Sequence, residues 1–292
     1  MKQHLLVWLA ALIAVALASV VYISRQTTAR TSDALASPAA AVDQALALLE
    51  VDPNALRVAT QRAIRAASVL AEGGSVPGAK GAFLLGYQYM REHNFHAAEG
   101  QFKKAIALDP AWSWPYANLG NLLGLHSFGR TAEAMDVLQK SVSLDPEWGR
   151  PYGIMAVILR AEGKFDEALV QAELALKYMP ENISPLNNYA NLLVDLKRFD
   201  EAEVYYRRAI ESFPEHPKPY YNLACLYALV GRKAESLDNL QEAFRRSDVL
   251  RYEAVDDADL ANLRGDPLFE SLVHRDRAGD RPSGHDAGLD WE

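Results

Sequence analysis

Small residues recur along this chain at a fixed step, and that recurrence constrains the fold more than any other feature. Gly86, Gly120, Ala156, Ala190 and Ala224 follow one another at steps of 34, 36, 34 and 34 residues. Ala98, Ala134, Ala168, Ala202 and Ser236 step by 36, 34, 34 and 34, and Pro110, Pro146, Pro180 and Pro214 by 36, 34 and 34. The same two-residue excess appears in every series and falls between Gly120 and Ala134. A single insertion within the turn LHSFGRT accounts for it. Periods of roughly 20–50 residues are the mark of stacked supersecondary units.

The positions also predict what the unit is. Counted from residue 79, each repeat holds two apolar-periodic stretches of about 12–14 residues, near the mean length of a helix. Position 8 (Gly86, Gly120, Ala156, Ala190, Ala224) and position 20 (Ala98, Ala134, Ala168, Ala202, Ser236) stay small. They mark where the two helices cross, because a larger side chain there would hold the helices apart. Bulk flanks the crossing at position 7 (Leu85, Leu119, Met155, Tyr189, Leu223) and position 24 (Phe102, Leu138, Tyr206, Leu240). The third repeat has Ala172 at position 24, with Leu169 and Leu176 near enough to fill the gap. Pro115, Pro151, Pro185 and Pro219 sit at position 3, where a first helical turn tolerates proline. One helix pair cannot bury its apolar face alone, so the pairs must stack.

These residues resemble the tetratricopeptide repeat (TPR) family, whose pattern W-x₂-L-G-x₂-Y…A-x₃-F…P is met in the first repeat by Leu85-Gly86, Tyr89, Ala98, Phe102 and Pro110. The Trp slot holds Ala82 there, and Tyr116, Tyr152, Leu186 and Tyr220 afterwards. The resemblance implies an all-α, right-handed α-solenoid of five helix-turn-helix repeats, 79–112, 113–148, 149–182, 183–216 and 217–250. The fifth departs from the pattern with Ser236 for Ala and Asp248 for the closing Pro. Residues 251–273 resemble the short end-piece of such arrays. Leu260, Leu263, Leu268, Phe269 and Leu272 are expected to cover the last repeat, and 274–292 reads as a disordered tail.

Ahead of the array, Leu5 to Ser24 carries no charge over a length that matches a bilayer core at about 30 Å, so residues 1–24 are expected to form a transmembrane anchor. A cleaved signal peptide ending near Ala16-Leu17-Ala18 is the alternative. The apolar run continues past that site through Ile23, which favours the anchor. The four-residue tail ahead of the segment points to an extracytoplasmic body. Residues 25–37 read as a linker. Residues 38–78 read as a helical hairpin with a small-residue face, suited to packing on the first repeat or to self-association, with Ser75 to Gly78 as a hinge. A net charge of −8 and a sequence pI near 5.4 argue against nucleic acid, and one cysteine, Cys225, excludes an internal disulfide framework.

In this family the first helix of each repeat lines a groove, and positions 2, 5, 6 and 9 are the usual ligand contacts. Carried onto this chain, they comprise Lys80, Phe83 and Tyr87, then Trp114, Asn118 and Asn121, then Arg150, then Asn187, Asn188 and Asn191, and finally Lys218, Tyr221 and Asn222. Asparagine carries a donor and an acceptor and can clamp an extended peptide without reading its side chains. Asn118, Asn188 and Asn222 share position 6. That row resembles the asparagine ladder in the TPR segment of O-linked N-acetylglucosamine transferases, although the same amides could simply bond neighbouring helices. A chaperone carboxylate clamp is not matched: Asn188 and Lys218 fit, while Gly153, Val157 and Asn222 do not.

His93, His96 and His126 lie near repeat turns. Without a fourth ligand they read as solvated rather than as a metal site. Trp112, Trp114 and Trp148 cluster at repeat junctions, Asn182-Ile183-Ser184 fits a glycosylation triplet, and Cys225 reads as a small buried residue. No Walker, G-x-S-x-G, H-E-x-x-H or C-x-x-C motif is present. The function expected is a scaffold or assembly factor, without catalysis, cofactor or bound metal, that holds a partner protein. The competing reading, carried by the anchor-plus-array layout and the three histidines, is an accessory subunit for metal or haem delivery, as in membrane-anchored TPR proteins of cytochrome c maturation.

Overall fold

The computed structural model describes residues 38–51, 66–70, 76–125 and 130–274. The anchor or signal segment, the linker, most of the second hairpin helix, the inserted turn with His126, and the tail beyond His274 lie outside the described residues. Among the described residues every regular element is helical, and no helix is long and apolar enough to cross a membrane.

Two units are present, divided between Ala111 and Trp112. The first holds α1 (Pro38–Val51), α2 (Val76–Arg91) and α3 (Phe95–Leu108). Helix α2 takes up Val76, Pro77 and Gly78, which the sequence assigned to a hinge. Proline lacks only an N–H that a first turn leaves unbonded anyway, so nothing stops the helix from starting there. α2 and α3 form an antiparallel pair with α1 packed on α2. At the crossing, a Cβ on Gly86 would lie 2.7 Å from the Phe102 ring. Phe102 is fully buried and its ring centroid is 5.7 Å from that of Phe83.

The second unit runs through α4 (Ser113–Leu125), α5 (Thr131–Leu144), α6 (Gly149–Ala161), α7 (Phe165–Tyr178), α8 (Ile183–Asp195), α9 (Phe199–Ser212), α10 (Pro217–Leu229) and α11 (Lys233–Arg246). Each odd helix pairs with the even one before it, and α4, α6, α8 and α10 follow one another as packed neighbours. The residues at the crossings are as small as the spacing requires. A Cβ on Gly120 would meet Leu138 Cγ at 2.5 Å, and Ala190, Ala202, Ala224 and Ser236 have no exposed surface. The departure to Ser236 costs little. Its hydroxyl donates to the Ala224 carbonyl across the crossing at 2.7 Å, so the buried polar group is satisfied. Ala172 is buried, with Leu169 and Leu176 packed beside it.

The four fully described turns inside the pairs share one geometry. Gly163, Lys197 and Gly231 have φ of 74°, 59° and 78°, and in the first unit His93 has 58°. In each, the following N–H reaches back to a carbonyl five residues earlier: Lys164 to Leu159, Arg198 to Leu193, Arg232 to Tyr227 and Asn94 to Tyr89. This left-handed cap satisfies the last carbonyls of the first helix and reverses the chain.

The chain then closes its own end. α12 (Val249–Asp256), a 3₁₀ turn (Ala258–Leu263) and α13 (Pro267–Val273) complete a cluster with Tyr221, Cys225, Leu240 and Phe244. Leu260, Leu263, Phe269 and Leu272 are buried there as expected. Leu268 is instead 49% exposed, and Val273 takes the inward place. Asp266 caps α13 by accepting from the N–H groups of Leu268 and Phe269, which sets the register so that Phe269 and not Leu268 faces in.

Candidate functional site

The register between successive first helices decides which candidate residues face a neighbour and which face out. Asn222 Nδ2 on α10 donates to Asn187 Oδ1 on α8 at 3.3 Å. Arg160 on α6 pairs with Asp195 on α8, with Nη2 3.2 Å from Oδ1. Positions 5 and 12 of one first helix therefore meet positions 6 and 13 of the next, and both pairs are separated by 35 residues. At the end of the array the 3₁₀ turn supplies the missing neighbour. Tyr221 OH donates to Asp257 Oδ2 at 2.7 Å, the Cys225 thiol lies 3.7 Å from the same oxygen, and Asn262 Nδ2 donates to the Ala228 carbonyl at 2.6 Å.

That register divides the candidates. In the second unit Asn118, Asn121, Asn187 and Tyr221 are buried; in the first unit Phe83 and Tyr87 are. Asn118 Nδ2 bonds back to the Trp114 carbonyl at 3.0 Å, while its Oδ1 is buried without a partner. Trp114, Arg150, Asn188, Asn191, Lys218 and Asn222 are half-buried and reach the surface. Lys80 of the first unit is half-buried and paired with Asp43 at 2.7 Å. On α8, Asn188 spends neither end of its amide on a described neighbour. Asn191 Oδ1 accepts from the hydroxyl of Tyr206 on α9 at 2.6 Å. Neither the Tyr206 hydroxyl nor the Arg160–Asp195 pair is marked by the repeat pattern of the sequence. A search for complementary polar residues one repeat plus one apart would have found the pair.

The three indoles do come together. Trp112 and Trp114 have ring centroids 6.0 Å apart, and Trp114 stacks on Trp148 at 5.8 Å with an interplanar angle of 18°. Asn182 uses its side-chain oxygen to cap α8 through the Ser184 N–H at 3.0 Å. Of the three histidines, His126 lies outside the described residues. His93 sits in the α2–α3 turn, whereas His96 belongs to the first turn of α3.

Among the described residues one set of potential ligands converges: Cys225, Asp257 and Asp259. Burial, reinforced by the Asp257 and Asp259 charges, pushes the Cys225 thiol well up, so it stays protonated. Burial, then the charges of Asp257 and Asp195, also raises the Asp259 carboxyl, against the pull of Arg160. Both oxygens of Asp257 are already engaged, because Oδ1 accepts from the Asp259 N–H at 2.9 Å. The group is accounted for as the joint between α10 and the cap.

The tetratricopeptide repeat family model matches residues 181–248, the stretch from α8 through α11. The fold is of the tetratricopeptide-repeat type. Among solved structures, TTC0263, described as a thermophilic TPR protein in Thermus thermophilus, superposes with a TM-score of 0.54 at 20% identity, covering 60% of this chain and 97% of that one. A chain of the APC/C hetero-tetramer Cut9-Hcn1 gives a TM-score of 0.58 at 13% identity, over 80% of this chain and 52% of that one. No curated protein matches. An all-α repeat fold of this type is typical of non-catalytic scaffold proteins.

Proposed function

We propose that this protein is a non-catalytic scaffold or assembly factor that holds an extended segment of a partner protein against its first helices. In this reading the array is a right-handed solenoid of five repeats over 79–250, and Leu5–Ser24 anchors it in a membrane with the body on the extracytoplasmic side. One observation carries the binding reading: Asn188, Asn191 and Asn222 present half-exposed amides from adjacent first helices. A carboxamide can both donate to and accept from a peptide bond, and two such groups on neighbouring helices suit a backbone that crosses them. Arg150 and Lys218 flank this row on α6 and α10 and add positive charge near helix N-termini, where an anionic partner group is favoured. Asn187, buried on α8, supports that surface through the hydrogen bond it accepts from Asn222.

The test is site-specific photo-cross-linking in cells from positions 150, 188 and 218, followed by mass spectrometry of the captured protein. A defined partner should cross-link at these sites, and its yield should fall several-fold when Asn188, Asn191 and Asn222 are replaced by Ala with helical circular dichroism unchanged. Equal yield from the triple variant would remove the groove as the binding surface. A reporter fused to the C-terminus reads out the membrane side directly.

A further inference from the structure

The amide row is not neutral in direction. Tyr206 is 2% exposed, and its hydroxyl has one proton to place. Burial pushes that hydroxyl well above the ordinary tyrosine range, so the proton stays on. The proton goes to Asn191 Oδ1 at 2.6 Å. A buried phenol left without an acceptor is costly, so the bond holds the Asn191 carboxamide in one of its two flips. The oxygen is turned inward and the NH₂ group faces away from Tyr206. The opposite happens one helix on. Asn222 commits its Nδ2 to Asn187 Oδ1 at 3.3 Å and keeps its own oxygen available. Helix α8 thus offers a donor where α10 offers an acceptor.

Packing does not require this hydroxyl. The equivalent positions in the other pairs hold Phe102, Leu138, Ala172 and Leu240, all buried without any polar group. A hydroxyl at this one place in the array, directed at a half-exposed amide, therefore calls for a reason other than core filling. We propose that Tyr206 is a positioning residue: it sets Asn191 as a hydrogen-bond donor toward a backbone carbonyl of the bound segment, while Asn222 accepts from a backbone N–H. The recognised chemistry is a main-chain amide in one direction, independent of side-chain identity. This rests on the partner-binding reading above and adds a polarity to it.

The experiment uses the full chain and a 12-residue peptide selected against it from a random phage library, with dissociation constants from fluorescence anisotropy. Loss of binding in Asn188→Ala first locates the peptide on the amide row. Tyr206→Phe should then weaken it about 3–10-fold, the worth of one oriented hydrogen bond. Asn191→Asp keeps the shape and the acceptor for Tyr206 but has no NH₂ group to offer, and it should weaken binding at least as much. Adding Tyr206→Phe to Asn191→Ala should cause no further loss, whereas a purely structural role for Tyr206 would make the two losses add. Binding within twofold of the wild type for Tyr206→Phe and Asn191→Asp, with Asn188→Ala still defective, overturns the polarity and leaves the groove reading standing. If no selected peptide responds to Asn188→Ala or Asn222→Ala, the groove reading falls and the polarity falls with it.

Discussion

α8 and α10 differ at position 9 of the repeat, where one helix holds Asn191 and the other Cys225. On α8, Asn188 and Asn191 stay half-exposed and polar, with a Tyr206 hydroxyl as the inward anchor. On α10, Tyr221 and Cys225 are buried, and both face Asp257 at the start of the 3₁₀ turn. The difference is what stands next along the array. α8 has another repeat beside it, whose Asn222 supplies a polar partner. α10 has only the chain's own end-piece, which brings Leu260, Leu263 and Phe269 to seal the apolar edge. A repeat array must close somewhere, and residues that could line a binding face are spent on closure at the last repeat.

The largest effect that tests this contrast is on stability. Phe269→Ala should destabilise the protein by about 3–5 kcal/mol, because it empties a fully packed site in the cap. Asn188→Ala, at a half-exposed site with no described partner, should stay within about 0.5 kcal/mol. Chemical denaturation of both variants checks the pair. A tolerant Phe269 would mean the cap is an accessory and α10 is as open as α8.

A smaller effect separates the turns of the same two regions. Lys197 after α8 holds φ at 59°, where Gly231 after α10 holds 78°. A side chain in the left-handed region costs about 1 kcal/mol, so Lys197→Gly should raise the unfolding free energy by about that much and Gly231→Ala should lower it similarly. The same denaturation series reads both.

The smallest effect is on pH dependence, and its sign differs between the regions. Burial alone would raise Glu203 on α9, but hydrogen bonds from Tyr227 and Arg232 outweigh it and hold the carboxyl below the ordinary range. Its contribution is present above that range and is lost as pH falls through the folded value. Asp259 in the cap is raised, so the folded state holds its proton more tightly, and the cap loses stability as pH rises through that folded value. Asp259→Asn should therefore be slightly more stable than the wild type at neutral pH, solvent screening keeping the gain small, and Glu203→Gln should flatten the acid limb. Thermal midpoints from pH 3 to 7 check both signs.

Much of this was legible in the chain before folding. The small residues at positions 8 and 20, the proline steps and the bulk at position 24 determined antiparallel helix pairs, because sterics at a helix crossing act locally and repeat identically. Leu268 and the start of α2 did not read correctly. A cap residue such as Asp266 sets register through backbone hydrogen bonds that hydrophobic count does not encode, and Pro77 is compatible with a hinge and a first turn alike.

The candidate face was legible only in composition. That asparagine is concentrated on the first helices could be counted from the sequence. Which amides are buried between helices, which reach solvent and which way each one points could not. Those depend on the offset between successive first helices, the offset that joins Asn187 to Asn222 and Arg160 to Asp195, and on Tyr206 reaching Asn191 from the second helix of its pair. Side-chain spacing along one helix sets what that helix can bury; only the packing of two helices sets which of its polar groups find a partner there and which are left facing out.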